Sequence, residues 1–258
     1  MKSAAKQKRN GWRNVISYVS ILALIVFVFF NSTSCSGNLD ATIKLDSSVR
    51  AAIRLDIPEA LSVRVRQFVG LKPQDPLFST EAVRKQFLEK TNIALVDVSS
   101  PTPDILTSVV WVQNLEALIA DTSLVPPGMI RYQKIPQQGK TPAMRELSVN
   151  LSRENAPAML KLFPGIDKRI IDSLSPPALE ADPVSAEEYR LNLEQVIIGK
   201  KNMPAFDACA VNIAITAPKV IVSATDGSIS GTVFRMRIPL FALLTLENPI
   251  SFSLRWNE

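Results

Sequence analysis

Histidine is absent from the 258 residues. That removes the commonest general base at neutral pH, every Ser-His-Asp or Cys-His arrangement, and most zinc and iron sites. Cysteine is nearly absent: Cys35 and Cys209 are the whole set, too few for a disulfide framework or a thiolate metal cluster. Glycine is scarce at 9 residues, and neither GxGxxG nor GxxxxGK[ST] occurs, so no loop is built to cradle phosphates. Neither a cofactor nor a metal is implied. Acidic residues are scattered, without a spacing that would set two carboxylates in one cleft.

The net charge of +5 and pI near 9.3 suggest a polyanion partner until the charges are located. Lys2, Lys6, Lys8, Arg9 and Arg13 all lie within the first 34 residues, which hold no acid. Beyond them 24 basic side chains balance 24 acidic ones. A formally neutral body has no electrostatic footprint for a phosphate backbone, so no nucleic-acid partner is expected.

What is present begins with the N-terminal segment. After a cationic stretch, residues 15–30 form a 16-residue run without a charge. A spanning helix takes about 20 apolar residues, so this run suits the apolar region of a signal peptide. The cationic flank stays in the cytoplasm and the chain beyond the run is exported. The run leads into Asn31-Ser32-Thr33-Ser34-Cys35-Ser36-Gly37. Small residues before a cysteine resemble a lipoprotein signal, in which the cysteine thiol receives a diacylglyceryl group and becomes the mature N-terminus. Thr33 and Ser34 fit that pattern; Ser32 departs from it, since an apolar residue is usual there. The expectation is a signal peptide over 1–34 and lipidation at Cys35, with an uncleaved single-pass anchor or ordinary cleavage after Ser34 as alternatives. If Cys35 is lipidated, Cys209 has no intramolecular partner and reads as a small buried hydrophobe.

Residues 49–57 alternate apolar with Arg50, Arg54 and Asp56, a half-buried strand, and 41–45 alternates likewise. With Asp46-Ser47-Ser48 between them, 41–57 reads as a β-hairpin. Helices are expected over 59–70 and after Thr80, strands over 93–98 and 105–112 split by a Pro101/Pro103 loop, and a short helix capped by Asn114. Ten of the prolines fall between 126 and 204. There the pattern gives short strands at 129–135 and 145–151, then helical pieces, notably 186–201 behind a Ser185/Glu188 capping box. Strands return at 209–216, 219–224, 229–238 and 250–256, with Asp226-Gly227 as a hairpin turn. The fold class expected is α+β: one extracytoplasmic domain over 35–258, with a mainly antiparallel sheet built from both ends of the chain (39–125 and 205–258). Helices pack on a face of that sheet, and 126–204 is a Pro-rich, mostly helical insertion.

This order of parts, closing on Asp226-Gly227-x-x-x-Gly231-Thr232-Val233 and on Ser251-Phe252-Ser253-Leu254-Arg255-Trp256, resembles the LppM-type domain of bacterial surface lipoproteins. The resemblance covers 39–125 and 205–258. It implies a non-enzymatic extracytoplasmic domain with a lipid-binding role, and it brings no binding residues.

The remaining candidates have plain structural readings. Glu187-Glu188 suits a helix first turn, and Asp167-Lys168-Arg169 a solvated face. Trp111 and Trp256 are expected in the core, and Phe241-Ala242-Leu243-Leu244 against the sheet rather than as an exposed lid. The functional expectation is a non-enzymatic lipoprotein of the cell envelope, lipid-anchored to the cell membrane or outer membrane, that binds an apolar or lipid ligand or an envelope protein partner. A carboxylate-dependent envelope enzyme, for example one acting on cell-wall glycans, and a purely structural envelope protein are the alternatives. An aliphatic cavity would support the first, an acidic cleft the second, and neither the third.

Overall fold

A computed structural model describes residues 35–88, 90, 92–137, 139, 142–159 and 168–258. The signal-like run, residues 31–34 before Cys35, and Asp167 lie outside them.

The first element is the expected hairpin, longer at its start: β1 (Ser36–Ile43) pairs antiparallel with β2 (Val49–Asp56) from Ser36↔Asp56 to Ile43↔Val49. Its turn is held by the Asp46 carboxylate, which accepts from the Ser48 amide at 3.0 Å and hydroxyl at 2.7 Å. Pro58 then precedes α1 (Glu59–Val69), and Gly70 closes that helix at φ 71°, where a side chain would strain the backbone. After α2 (Thr80–Leu88), β3 (Ile93–Thr102) and β4 (Ile105–Val112) form one long hairpin. The prolines expected to split them off as a loop sit at its end, with Pro101 still in the strand. Next come α3 (Leu115–Ala120), capped by the Asn114 side chain at 2.9 Å, and the hairpin of β5 (Ile130–Ile135) and β6 (Met144–Leu151).

Short helices come next: α4 (Ala156–Met159), α5 (Lys168–Leu174) and α6 (Ala186–Asn192), the last capped by Ser185 as its sequence required. The helix expected over 186–201 does not run through. It widens into a π-turn at Leu193–Ile197, and Gly199 at φ 81° ends it. Then α7 (Met203–Asp207) leads into β7 (Ala210–Thr216), β8 (Ile221–Thr225), β9 (Ser228–Ser230) and β10 (Val233–Pro239). The chain finishes with α8 (Leu240–Thr245) and β11 (Ile250–Asn257).

The strands make a seven-stranded sheet in the order β3-β4-β2-β1-β7-β10-β9 and a four-stranded sheet in the order β5-β6-β11-β8. The fold is α+β and mainly antiparallel, and the larger sheet is built from both ends of the chain as expected. Its seam is the parallel pair β1–β7, running from Ser36↔Ala210 to Thr42↔Thr216. The second sheet was not foreseen. The strands expected within 126–204 are its β5 and β6, and β6 pairs along its whole length with β11. The reason is apolar demand: Leu147 and Leu151 of β6, and Phe252, Leu254 and Trp256 of β11, are all buried.

Asp226-Gly227 also does different work from the hairpin turn expected of it. It carries the chain from β8 in the small sheet to β9 in the large one, while the β9–β10 turn falls at Gly231, φ 61°. Glycine is required at 227 by contact: a Cβ there would stand 2.2 Å from Phe234 Cε2 and 2.8 Å from the Arg235 carbonyl oxygen. Phe234 is fully buried and stacks on Phe252 with ring centroids 5.1 Å apart. Gly227→Ala will therefore cost about 1–3 kcal/mol, as overpacking does. A urea midpoint equal to that of the parent chain would show that the crossover relaxes freely.

Directly paired residues share a face, and so do residues two apart along a strand. One face of the large sheet is accordingly apolar. Ile43, Val49, Val110, Val112, Ile215 and Phe234 meet Leu147, Phe252, Leu254 and Trp256 of the small sheet in the main core. Towards the other end of the same face, Leu106 and Val98 pack under α1 and α2 with Val65, Phe78 and Val83. A third cluster gathers Leu61, Tyr189, Leu193, Met203, Phe206 and Cys209.

Candidate functional site

The opposite face of the large sheet carries a row of polar residues fixed by register: Thr107, Arg54, Asn38, Asn212 and Arg237 lie side by side on β4, β2, β1, β7 and β10. The next row holds Asp40, Ala214, Arg235 and Ser228. Between them lies an open furrow of about 420 Å³ lined by Asn38, Asp40, Asn212, Ser228, Arg235 and Arg237. Its floor is tied together by the Asn212 side-chain amide, which donates to Asn38 Oδ1 at 3.1 Å, and by Asn38, which donates to Ser36 Oγ at 3.3 Å. Arg237 is steadied by a bond to the Ala208 carbonyl at 3.0 Å, and Arg54 by Asp56 at 2.8 Å. Two exposed guanidinium groups beside amide side chains suit a planar, hydrogen-bond-accepting or anionic group. Among the described residues, Asp40 is the one carboxylate in the lining. The furrow is thus neither an aliphatic cavity nor an acidic cleft.

The alternation of Arg235 and Arg237 with Phe234, Met236 and Ile238 was readable as a two-faced strand. The furrow was not, because the β1–β7 seam that sets Asn38 beside Asn212 joins residues 174 apart.

Cys35, the predicted lipidation residue, immediately precedes β1 and is partly exposed. Its carbonyl accepts from the Ala210 amide at 3.1 Å, so it already belongs to the fold. Cys209 is buried as expected, but it has a neighbour. Cys35 packs against the cluster that holds Cys209, and the Cys209 thiol donates to the Ala205 carbonyl at 3.3 Å. Interaction with the Cys209 sulfur, reinforced by burial and by Asp56, holds the Cys35 thiol far above its ordinary pKa. The same neighbour in turn draws Cys209 down, against its own burial.

The other residues singled out from sequence fall into structural roles. Glu187 and Glu188 occupy the first turn of α6, with the Glu188 amide on the Ser185 cap. Lys168 and Arg169 begin α5. Trp256 is in the core, whereas Trp111 is only half-buried on the polar face, with Lys44 Nζ 4.4 Å from its ring centre. Register explains this: Trp111 pairs with Arg50, which places both on the open side. Phe241 packs inward and stacks on Tyr189 at 6.2 Å. Among the described residues, no helix is long and apolar enough to cross a membrane, and no group of three or more His, Cys, Asp or Glu side chains is arranged to hold a metal.

No protein-family model matches the chain, and no curated protein matches it. Among solved structures, the NMR structure of the folded domain of Mycobacterium tuberculosis LppM is similar at a TM-score of 0.35 and 9% identity, over 86% of this chain and 89% of that one. No residue role is carried over from it.

Proposed function

We propose that the chain is a lipoprotein of the bacterial envelope, anchored through acyl chains on Cys35, whose body is a non-enzymatic binding module. The observation that carries this reading is where the body starts. The compact unit runs from Cys35 to Glu258, so the cysteine that comes after an apolar run and four small or polar residues is also the first residue of the fold. A single acyl chain holds a protein to a bilayer only marginally, whereas two or more hold it firmly. The body then works outside the cytoplasm, on the cell membrane or outer membrane.

What favours a binding module over a purely structural protein is the pair of exposed guanidinium groups in the furrow, Arg235 and Arg237, beside the Asn38 and Asn212 amides, which suit an envelope partner bearing anionic or hydrogen-bond-accepting groups. The carboxylate-dependent alternative calls for two carboxylates about 5–9.5 Å apart, and the furrow contributes Asp40 alone.

The anchor is tested by growing cells on radioactive fatty acid. Wild-type protein will take up label, and Cys35→Ala will take up none and will remain unprocessed. Equal labelling of the two proteins removes Cys35 as the attachment point.

A further inference from the structure

Cys35 and Cys209 occupy equivalent places, each one residue before the paired residues that open β1 and β7. The pairing starts at Ser36↔Ala210, and the Ala210 amide bonds the Cys35 carbonyl at 3.1 Å, so the parallel ladder reaches back to the cysteines. Neighbouring strands lie about 4.8 Å apart, inside the roughly 4.4–6.8 Å Cα window in which a disulfide closes. Both residues pack in the same apolar cluster.

We propose that Cys35 and Cys209 close a disulfide in every exported molecule whose Cys35 sulfur carries no lipid. This sulfur then has two mutually exclusive fates, a lipid thioether or a bond to Cys209. The inference rests on the exported location proposed above, since disulfides persist outside the reducing cytoplasm. The oxidant is a disulfide donor, either a dithiol oxidoreductase in its oxidised form or glutathione disulfide. The Cys35 sulfur, the partly exposed one, gives up its proton as it attacks one donor sulfur and releases the first donor thiol. Cys209 then attacks the Cys35 sulfur, breaks the mixed disulfide and releases the second. Two cysteine thiols are oxidised, the donor disulfide is reduced to two thiols, and these take up the two protons. Cys209 is 1% exposed. No outside donor reaches it, but the Cys35 sulfur does, which fits it for the second step alone.

The test uses the full chain made by cell-free translation into nonionic detergent, without acylating enzymes, so that neither export nor lipidation enters. The protein is treated with glutathione disulfide, denatured, alkylated and weighed. Both thiols will be alkylated before oxidation and neither after it. The oxidised protein will be lighter by two hydrogens, and a digest will yield a peptide joining Cys35 to Cys209. Cys209→Ala will instead retain a glutathione adduct on Cys35. The same oxidation in urea will give mainly adducts, because the fold supplies the proximity. Two thiols still alkylatable, stable glutathione adducts on the folded wild type, or equal linkage in urea would each overturn the proposal. The fatty-acid experiment separates the two readings. Lipid on Cys35 with no linked peptide in the cell-free chain sinks this inference alone, and a linked peptide with no lipid in cells sinks the anchor alone.

Discussion

Trp256→Ala will lower the stability of the body by about 3–5 kcal/mol, the usual cost of emptying a buried tryptophan site. The residue lies two places from the chain's end, where fraying is ordinarily expected. The structure removes that expectation. β11 is an interior strand, flanked by β6 on one side and β8 on the other. Phe252, Leu254 and Trp256 all point to the main core at 4%, 0% and 1% exposure. Trp256 meets the Tyr132 ring at 6.0 Å, while Phe252 stacks on Phe234 of the opposing sheet. The strand therefore joins both sheets into one core. Against a typical total stability of about 5–15 kcal/mol, the loss leaves the domain near its threshold. Circular dichroism in urea reads the midpoint without relying on tryptophan emission. Ser251→Ala, on the exposed side of the same strand, will change stability by no more than about 0.5 kcal/mol. If the two substitutions shift the midpoint equally, β11 is peripheral and the two-sheet core is misread.

The importance of β11 was legible in its alternation, and so were the first hairpin and the Asn114 and Ser185 caps, because these depend on neighbours in sequence. What stayed hidden depends on partners far away. A two-residue period says which side chains share a face, but not which sheet the strand enters. β8 and β9 look like two arms of one hairpin across Asp226-Gly227, yet β8 pairs with β11 and β9 with β10. The signal for a crossover was Gly227 itself, whose missing side chain leaves room for the Phe234 ring. Trp111 was expected inside because it is large and sits in an apolar strand. Its half-exposed place comes from pairing with Arg50, which only the register reveals. The two cysteines were read separately for the same reason: a parallel seam joins them, and parallel strands need long crossovers that leave no local trace.

Asp104→Ala will destabilise the body by about 3 kcal/mol, the lower end of the cost of stranding one member of a buried ion pair. Arg66, in the last turn of α1, is 3% exposed. Its guanidinium donates to Asp104 Oδ1 at 2.5 Å and, through Nε, to the Asp75 carbonyl at 2.8 Å. Asp104 stands at the β3–β4 turn, where its own carbonyl accepts from the Ile57 amide at 3.1 Å and the Pro103 carbonyl accepts from the Leu77 amide at 2.9 Å. One arginine thus fastens α1 and the loop after it to the tip of the hairpin. Removing the Asp104 carboxylate leaves a charge under cover with a single neutral acceptor, and burying an uncompensated charge is far dearer than leaving a hydrogen bond unmade. Asp104 is itself about a quarter exposed, so water relieves part of that penalty. The diagnostic variant is the double substitution Arg66→Met and Asp104→Ala, which takes away the stranded charge while keeping an unbranched apolar stem. Replacing a buried pair with apolar groups is often neutral or stabilising, so the double variant will be more stable than Asp104→Ala alone. Urea midpoints of the two single variants and the double variant complete the cycle. If the single costs simply add, Arg66 and Asp104 act independently and the fastening lies in the backbone bonds of the turn.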